Sequence, residues 1–426
     1  MRILLLGSGG RENALAWKMA QSPLCEKLFI APGNAGTSQY GTNLPASVTD
    51  FDKIKRYCID EAIDLVVVGP EEPLVKGITD FLINDPQLKN IDVIGPDKTG
   101  AQLEGSKAFA KAFMQRHNIP TAKYKEFTLE NYDEGVAYLQ QHPLPIVLKA
   151  DGLAAGKGVV ICNTAFEAMA EFDLMIQRAK FGEASKKVVV EEFLHGIEMS
   201  VFVLMDGKNY VILPEAKDYK RVGEGDEGPN TGGMGAVSPV PFATKTLMQK
   251  IEEQVVKPTV LGLIQEGLDY RGFIFLGLMI ANEEAYMIEY NCRMGDPETE
   301  VVIPRLKNDL VALLQATANA QLHTIQIETD TRTTAAVVAV SGGYPGEYLK
   351  GLPITGLDNV SPDDSLVFHM GTQEQEGHIV TNGGRVFCIT SYGRSIFDAV
   401  EISKEELTKV TFDGMYYRND IGYEFA

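Results

Sequence analysis

Short apolar runs separated by glycine-rich polar turns fill the first hundred positions. Residues 3–6, 27–30, 64–68 and 91–95 each read as a strand buried on both faces, as in a parallel sheet. Between the first two, Ala14, Leu15, Trp17 and Met19 recur at helical spacing. Strand, turn and helix in this order predict a small doubly wound α/β domain over residues 1–102. Its first turn, Gly7-Ser8-Gly9-Gly10-Arg11-Glu12, offers backbone N–H groups at a helix start, which suits a phosphate. A dinucleotide site fits poorly. Glu12 stands where that fingerprint wants a glycine, and the second strand closes on Ala31-Pro32-Gly33 without an acid for a ribose.

The pattern changes after residue 105. Residues 106–114 read as a helix capped near Ser106 and stopped by Asn118, Ile119 and Pro120. Lys107 sits at the end of the helix that prefers anions, so it makes sense if it reaches a phosphate; a solvated lysine is the bland alternative. A small α/β unit follows over about 121–190. In it a strand at 145–149 ends in Lys149, and Ala150-Asp151-Gly152-Leu153-Ala154-Ala155-Gly156-Lys157-Gly158 leads into a strand at 159–162. Such a loop can close its N–H groups over a polyphosphate and open again. It is no Walker A loop, because Gly156-Lys157-Gly158 enters a strand, and without a ligand it is a flexible hairpin.

Residues 187–191 form another strand that runs on through Glu192, Phe193 and Leu194 to Glu198. Extended backbone beside Phe193 and Leu194 suits a flat purine, with Glu198 near ribose hydroxyls. Residues 199–205 and 210–213 read as a hairpin. Residues 214–241 read as a long charged loop carrying Lys217-Asp218-Tyr219-Lys220-Arg221, with small residues at 232–235 that let backbone approach a ligand. After a helix near 244–267 and a strand at 273–281 comes the most informative stretch. Tyr286 to Arg293 alternates with a period of two, placing Glu289, Asn291 and Arg293 on one face and Ile288, Tyr290 and Cys292 on the other. A carboxylate, an amide oxygen and a guanidinium together suit Mg²⁺ and phosphate oxygens, although spacing alone also allows an edge strand with a solvated face. Gly295, Asp296 and Pro297 turn the chain, and Glu298 and Thr299 open a helix. From about residue 333 a small α+β module begins, with no catalytic constellation and with His369 and His378 read as structural.

With 426 residues and 45% apolar content, the chain has core enough for two or three domains. A net charge of −19 argues against a nucleic-acid surface. Five scattered cysteines without a Cys-x-x-Cys pair point to buried thiols in a reducing compartment and no zinc site. No apolar run approaches a membrane span, and a cytoplasmic protein is expected.

The motifs GSGGRE (7–12), GPEEPLVKG (69–77), LEGSKAFAKAF (103–113), LKADGLAAGKGV (148–159), PNTGGMGA (229–236), EYNCRMGDPETE (289–300) and TNGGRV (381–386) closely resemble the phosphoribosylamine–glycine ligase family, ATP-grasp enzymes of purine biosynthesis. The likeness spans nearly the whole chain in the same order. It implies the doubly wound N-terminal α/β domain, an ATP-grasp core over 103–330 with a mobile lid at about 121–190, and an α+β C-terminal domain over 331–426. It also implies a small-molecule enzyme, monomer or weak homodimer, that uses ATP and Mg²⁺ or Mn²⁺ to join glycine to 5-phosphoribosylamine through a glycyl phosphate. Another ATP-grasp ligase or carboxylase, or a nucleotide-binding protein without turnover, are the rivals.

By this resemblance Lys107 and Lys149 contact ATP phosphates, with Gly152, Gly156, Lys157 and Gly158 in the covering loop. Glu191, Glu192, Phe193 and Leu194 lie by the adenine and Glu198 by its ribose. Glu289 and Asn291 bind the metal, and Arg293 holds phosphate or the glycine carboxylate. Gly9, Gly10, Arg11, Glu12, Pro70, Glu71, Gly232 and Gly233 hold substrate. Asp218 and Asp296 hold the glycine ammonium or accept the amine proton. The chain departs from the family's pattern at Asn13, where relatives often carry histidine, and at Lys217 and Tyr219, where they often carry glutamine and histidine. The strand at 273–279 also lacks the acidic metal ligand of the wider superfamily.

Overall fold

The structure is a computed structural model that describes residues 1–152 and 158–425. Five parallel strands open the chain: β1 (Arg2–Gly7), β2 (Lys27–Pro32), β3 (Thr42–Asn43), β4 (Leu65–Val68) and β5 (Asp92–Ile94), in the order β3-β2-β1-β4-β5. β1 is the centre because Ile3, Leu4, Leu5 and Leu6 are apolar on both faces and fully buried. Its carboxyl end feeds the glycine turn and the helix Gly10–Met19.

A second, antiparallel sheet contains β6 (Tyr124–Thr128), β7 (Ile146–Ala150), β8 (Val159–Cys162) and β9 (Lys187–Glu192), in the order β6-β9-β7-β8. It has its own core, in which Phe127 and Phe172 meet edge to face. The helix Lys107–Arg116 leads into it, and its N-cap Ser106 Oγ accepts from Phe109 N at 3.0 Å. Asp151, at the end of β7, supplies the anion that this helix start prefers, accepting from Ala108 N at 3.1 Å. That leaves Lys107 free to reach across to the Gly152 carbonyl at 3.2 Å.

The third sheet, β11-β10-β16-β17, joins β10 (Ile197–Asp206), β11 (Tyr210–Ile212), β16 (Arg271–Ala281) and β17 (Glu284–Asn291). The fourth corrects the sequence reading of residues 214–241 as a loop. β12 (Lys217–Asp218) and β15 (Gly235–Ser238) flank the hairpin of β13 (Arg221–Gly223) and β14 (Glu227–Asn230), and they extend the C-terminal sheet. That sheet runs β12-β15-β18-β22-β19, with β18 (Thr333–Val340), β19 (Ser365–His369) and β22 (Arg385–Gly393); β20 (Thr372–Gln375) and β21 (His378–Thr381) form a separate hairpin. Glycines and charges hid β12, which pairs with β15, and β15, whose other partner lies a hundred residues away in β18.

Asn13 ties the first and last parts together. Its Oδ1 accepts from His369 N at 2.6 Å inside the protein, so at this position the chain has an internal pin. Asn13→Ala strands that buried N–H, which costs about 1–3 kcal/mol. Urea unfolding should show a loss in that range, and an unchanged midpoint would remove Asn13 from the account of domain docking.

Candidate active site

The site is built outward from β17. Its register with β16 slips by one residue, pairing Gly277 with Glu289 but Leu278 with Met287, so Ile288 is an extra, bulged residue. Strict alternation predicted Ile288 on the core side. The bulge instead leaves Met287 and Tyr290 in the core and turns Ile288 toward the cavities with Glu289. Gly277 makes room for this, since a Cβ there would lie 3.2 Å from Glu289 Cγ. Glu289, Asn291 and Arg293 line one pocket, as their spacing predicted.

In that pocket Arg293 is forked between two acids. Its Nη2 donates to Glu104 Oε1 at 2.8 Å and its Nε to Glu71 Oε2 at 3.3 Å. Burial pushes the Glu104 carboxyl up to about 7 against the pull of Arg293. Burial also acts on Glu71, but Arg293 and Arg11 outweigh it and hold that carboxyl below its ordinary value. Across the pocket stand Lys107, Lys111 and Lys149, with Glu191 between the last two at 3.1 and 2.9 Å. Burial brings Lys111 down to about 8, Glu191 opposing it. Lys149 also donates to the Ile288 carbonyl at 3.2 Å. Three ammoniums and a guanidinium around a half-buried carboxylate are the chemistry that suits a polyphosphate with a divalent cation. The Asn291 amide nitrogen is buried without a partner, an opening that a ligand shell can use. Among the described residues, no three His, Cys, Asp or Glu side chains converge on a metal position, so oxygens from a bound phosphate have to complete any shell.

A larger cavity of about 640 Å³ opens beside it and shares Lys149, Val159, Ile288 and Glu289. Phe193, Leu194, Phe275, Leu278 and Met279 give it apolar walls that suit a flat base, and Glu198, Asp218 and Lys220 supply its charge. Lys220 bonds Glu198 and lies 3.3 Å from Asp218. It holds the Glu198 carboxyl below its ordinary range. Burial, reinforced by Glu198, raises Asp218. Burial works against charge on Lys220, yet Asp218 and Glu198 keep its pKa well above the usual value. Gly152 and Gly158 line the narrow pocket; Gly156 and Lys157 lie outside the described residues. The Glu192 carboxylate lines neither cavity and accepts from Lys123 N at 2.9 Å.

The remaining predicted residues meet behind Arg293. Glu12 is occupied within its own turn, accepting from Gly9 N at 2.7 Å and Arg11 Nε at 2.6 Å. Arg11 N donates to Asp296 at 3.1 Å and Arg11 Nη1 to the Met294 carbonyl at 3.1 Å. Pro70 caps the short helix that presents Glu71. Gly232 and Gly233 are drawn in by a residue given no role from sequence. Arg385, at the start of β22, donates to the carbonyls of Gly232 and Asp296, both at 2.9 Å, and pairs with the Asp296 carboxylate at 3.0 Å. Gly233 has φ +125°, and a Cβ there would strike Pro297. The TNGGRV motif was the available signal for Arg385. The C-terminal module thus reaches the site, contrary to its reading as catalytically blank. Other residues missed from sequence are Glu104, Lys111, Lys220, Glu298 and Glu300, whose significance depends on distant partners.

Burial opposes the charge of Asp296, but Arg385 and Arg11 hold it below the usual carboxylate range. Glu300 is fully buried, no N–H donor reaches either oxygen, and a Cβ on Gly10 would collide with it. Burial and the charge of Asp296 hold its pKa well above the ordinary glutamate value, against the pull of Arg385. A carboxyl protonated in the fold but ionised in the unfolded chain removes stability as pH rises above about 4.5, the ordinary glutamate value. Glu300→Gln removes that penalty. Thermal midpoints should rise relative to the parent, by more at pH 8 than at pH 5; a larger loss at pH 8 would mean that Glu300 is ionised.

Comparison with known proteins follows this geometry. Three family descriptions match in succession: phosphoribosylglycinamide synthetase N domain over residues 1–104, its ATP-grasp (A) domain over 105–299 and its C domain over 334–424. The phosphoribosylamine–glycine ligase of Vibrio parahaemolyticus is 46% identical over 426 residues, covering 99% of this chain and 98% of its own. The crystal structure of phosphoribosylamine–glycine ligase from Thermotoga maritima superposes with a TM-score of 0.83 at 36% identity, covering 99% of this chain and all of that one. The biotin carboxylase domain of Hydrogenobacter thermophilus 2-oxoglutarate carboxylase, solved with MgADP and bicarbonate, shares the fold at TM-score 0.73 and 16% identity, covering 98% of this chain and 91% of that one.

Proposed function

From a chain that belongs to the phosphoribosylamine–glycine ligase family, we infer how its residues divide the work of the reaction. The protein is an ATP-dependent ligase that joins glycine to 5-phosphoribosylamine in purine biosynthesis. Its ATP-grasp fold carries ATP. The finer assignments below are proposals, and so are the domain limits 1–102, 103–330 and 331–426, with residues 121–190 as a lid.

Adenine lies against Phe193 and Leu194, the ribose faces Glu198, and the phosphates run past Lys149 and Lys107 into the narrow pocket. Glu289 and Asn291 fit one Mg²⁺ or Mn²⁺, which when bound draws charge from the phosphate oxygens. A glycine carboxylate oxygen attacks the γ-phosphorus and ADP leaves. The amine of phosphoribosylamine then attacks the acyl phosphate and phosphate departs. Little covalent work falls to the protein, so positioning and charge neutralisation carry the rate. Arg293, with Nε on Glu71, Nη2 on Glu104 and Nη1 on the Met294 carbonyl at 3.3 Å, presents its remaining N–H groups to the transferring phosphoryl group. Asp218, on the nucleotide side, holds the glycine ammonium. Asp296, beside Gly9, Gly10 and Arg11, orients the amine of phosphoribosylamine. The observation that carries this division is the fork of Arg293 between Glu71 and Glu104 in the pocket that holds Glu289 and Asn291.

ADP release should require both glycine and freshly generated phosphoribosylamine, with no other amino acid replacing glycine. Arg293→Lys loses the planar fork, and such a loss typically costs roughly 3 kcal/mol of transition-state stabilisation, about 100-fold in rate. A change below about threefold would remove Arg293 from the phosphoryl group. Glu289→Gln keeps the volume, so turnover at low Mg²⁺ should fall far more than the thermal midpoint; near-parental turnover there would remove Glu289 from the metal.

A further inference from the structure

Lys217 and Tyr219 flank Asp218, and both belong to positions where the chain departs from the family's pattern. Lys217 and Asp218 form β12, and Lys217, Asp218, Tyr219 and Lys220 all line the large cavity, but their polar ends divide between two sets of partners. Asp218 and Lys220 meet Glu198 in the large cavity. Lys217 and Tyr219 share one distant carboxylate, Glu424, while the Arg418 guanidinium lies 5.5 Å from the Tyr219 ring centroid. Lys217 Nζ lies 2.7 Å from Glu424 Oε1, and Tyr219 OH donates to Glu424 Oε2 at 3.0 Å. The ammonium also sits 3.9 Å from the centroid of the buried Tyr219 ring.

The segment that carries Glu424 is anchored on both sides. Arg418 is fully buried and pairs with Asp226 and Asp420, each at 2.8 Å. Tyr423 OH donates to Asp226 at 3.0 Å, and the Phe425 ring packs on Phe242 with centroids 6.0 Å apart. Tyr423 and Glu424 themselves line the large cavity. Glu424 is thus held in place independently of the two residues it clamps.

We propose that Glu424 is a positioning residue for ATP binding, acting by keeping the Lys217 ammonium away from Glu198 and Asp218. The inference rests on the large cavity holding the nucleoside part of ATP. Lys217 lies on the wall of the same cavity as Glu198 and Asp218, and its ammonium already reaches the Asp218 carbonyl at 3.4 Å. With Glu424 neutralised, the buried ammonium loses its partner and is drawn toward those two acids, where it competes with Lys220. The wall that faces the ribose then rearranges. Removing the ammonium as well removes the competitor.

The test measures KM for ATP and for glycine, and kcat, with a thermal midpoint for each variant. Glu424→Gln should raise KM for ATP about fivefold or more, and KM for glycine with it because Asp218 is engaged. At saturation of both, kcat should stay within twofold; a merely structural loss would lower kcat without moving either KM. Combining Glu424→Gln with Lys217→Gln should return KM for ATP to within twofold of the parent. An unchanged KM for ATP in the single variant, or a double variant as poor as the single, overturns the proposal. If Glu424→Gln fails to fold, Glu424→Asp serves, with KM raised at least twofold expected and an unchanged KM overturning the proposal. Glu198→Gln separates the two ideas. If it raises KM for ATP while the Glu424 variants do not, the positioning role is wrong and the cavity assignment stands; if neither moves KM, the cavity assignment falls and the proposal with it.

Discussion

Carboxylates buried around the turn from Cys292 to Glu300 can stay in the fold only if each is paired with a cation or keeps a proton. This constraint organises the molecule. Arg293 takes Glu71 and Glu104. Arg385 and the backbone of Arg11 take Asp296. Glu300, without a hydrogen-bonding partner, has its pKa raised by burial and by Asp296. The partners come from different parts of the chain: Glu71 from the loop after β4, Glu104 from just before the helix Lys107–Arg116, and Arg385 from β22. The pairing that neutralises the turn also docks the N-terminal and C-terminal sheets against the third sheet. The charges of this pocket are already fixed by the fold, the preorganisation that phosphoryl transfer needs.

Much of this was legible because local chemistry and distant function coincide. The period of β17 put Glu289, Asn291 and Arg293 in one pocket, and the glycine turn at 7–12 announced the parallel sheet. The misreadings share one physical origin, partners remote in sequence. Ile288 was put on the wrong face because a bulge depends on the register with β16. β12 and β15 were taken for loop because their ladder is completed by β18. Arg385 and Glu104 stood inside recognisable motifs, but a charged residue in a short motif reads the same whether it meets solvent or a buried acid, so their partners were not legible. The excess of acids over bases, a net charge of −19, likewise concealed a pocket with three lysines and an arginine.

The chemistry follows from which groups are reactive. Cys292, the thiol beside the site, is buried, and that burial pushes it up to about 12, so it is no nucleophile at neutral pH. Lys111 and Lys149 are engaged by Glu191, and Arg293 by two acids. What these groups offer is charge set around a phosphoryl group, which points to activation of the glycine carboxylate by phosphate itself.

That claim can be read directly from the fate of oxygen. Glycine labelled with ¹⁸O in its carboxylate, turned over with ATP and phosphoribosylamine, should yield inorganic phosphate carrying one label per molecule of glycinamide ribonucleotide formed. The attacking carboxylate oxygen stays on phosphorus when the amine expels it. Labelled AMP with pyrophosphate, or unlabelled phosphate formed alongside product, would contradict the acyl phosphate route and with it the roles given to Arg293, Glu289 and Asn291.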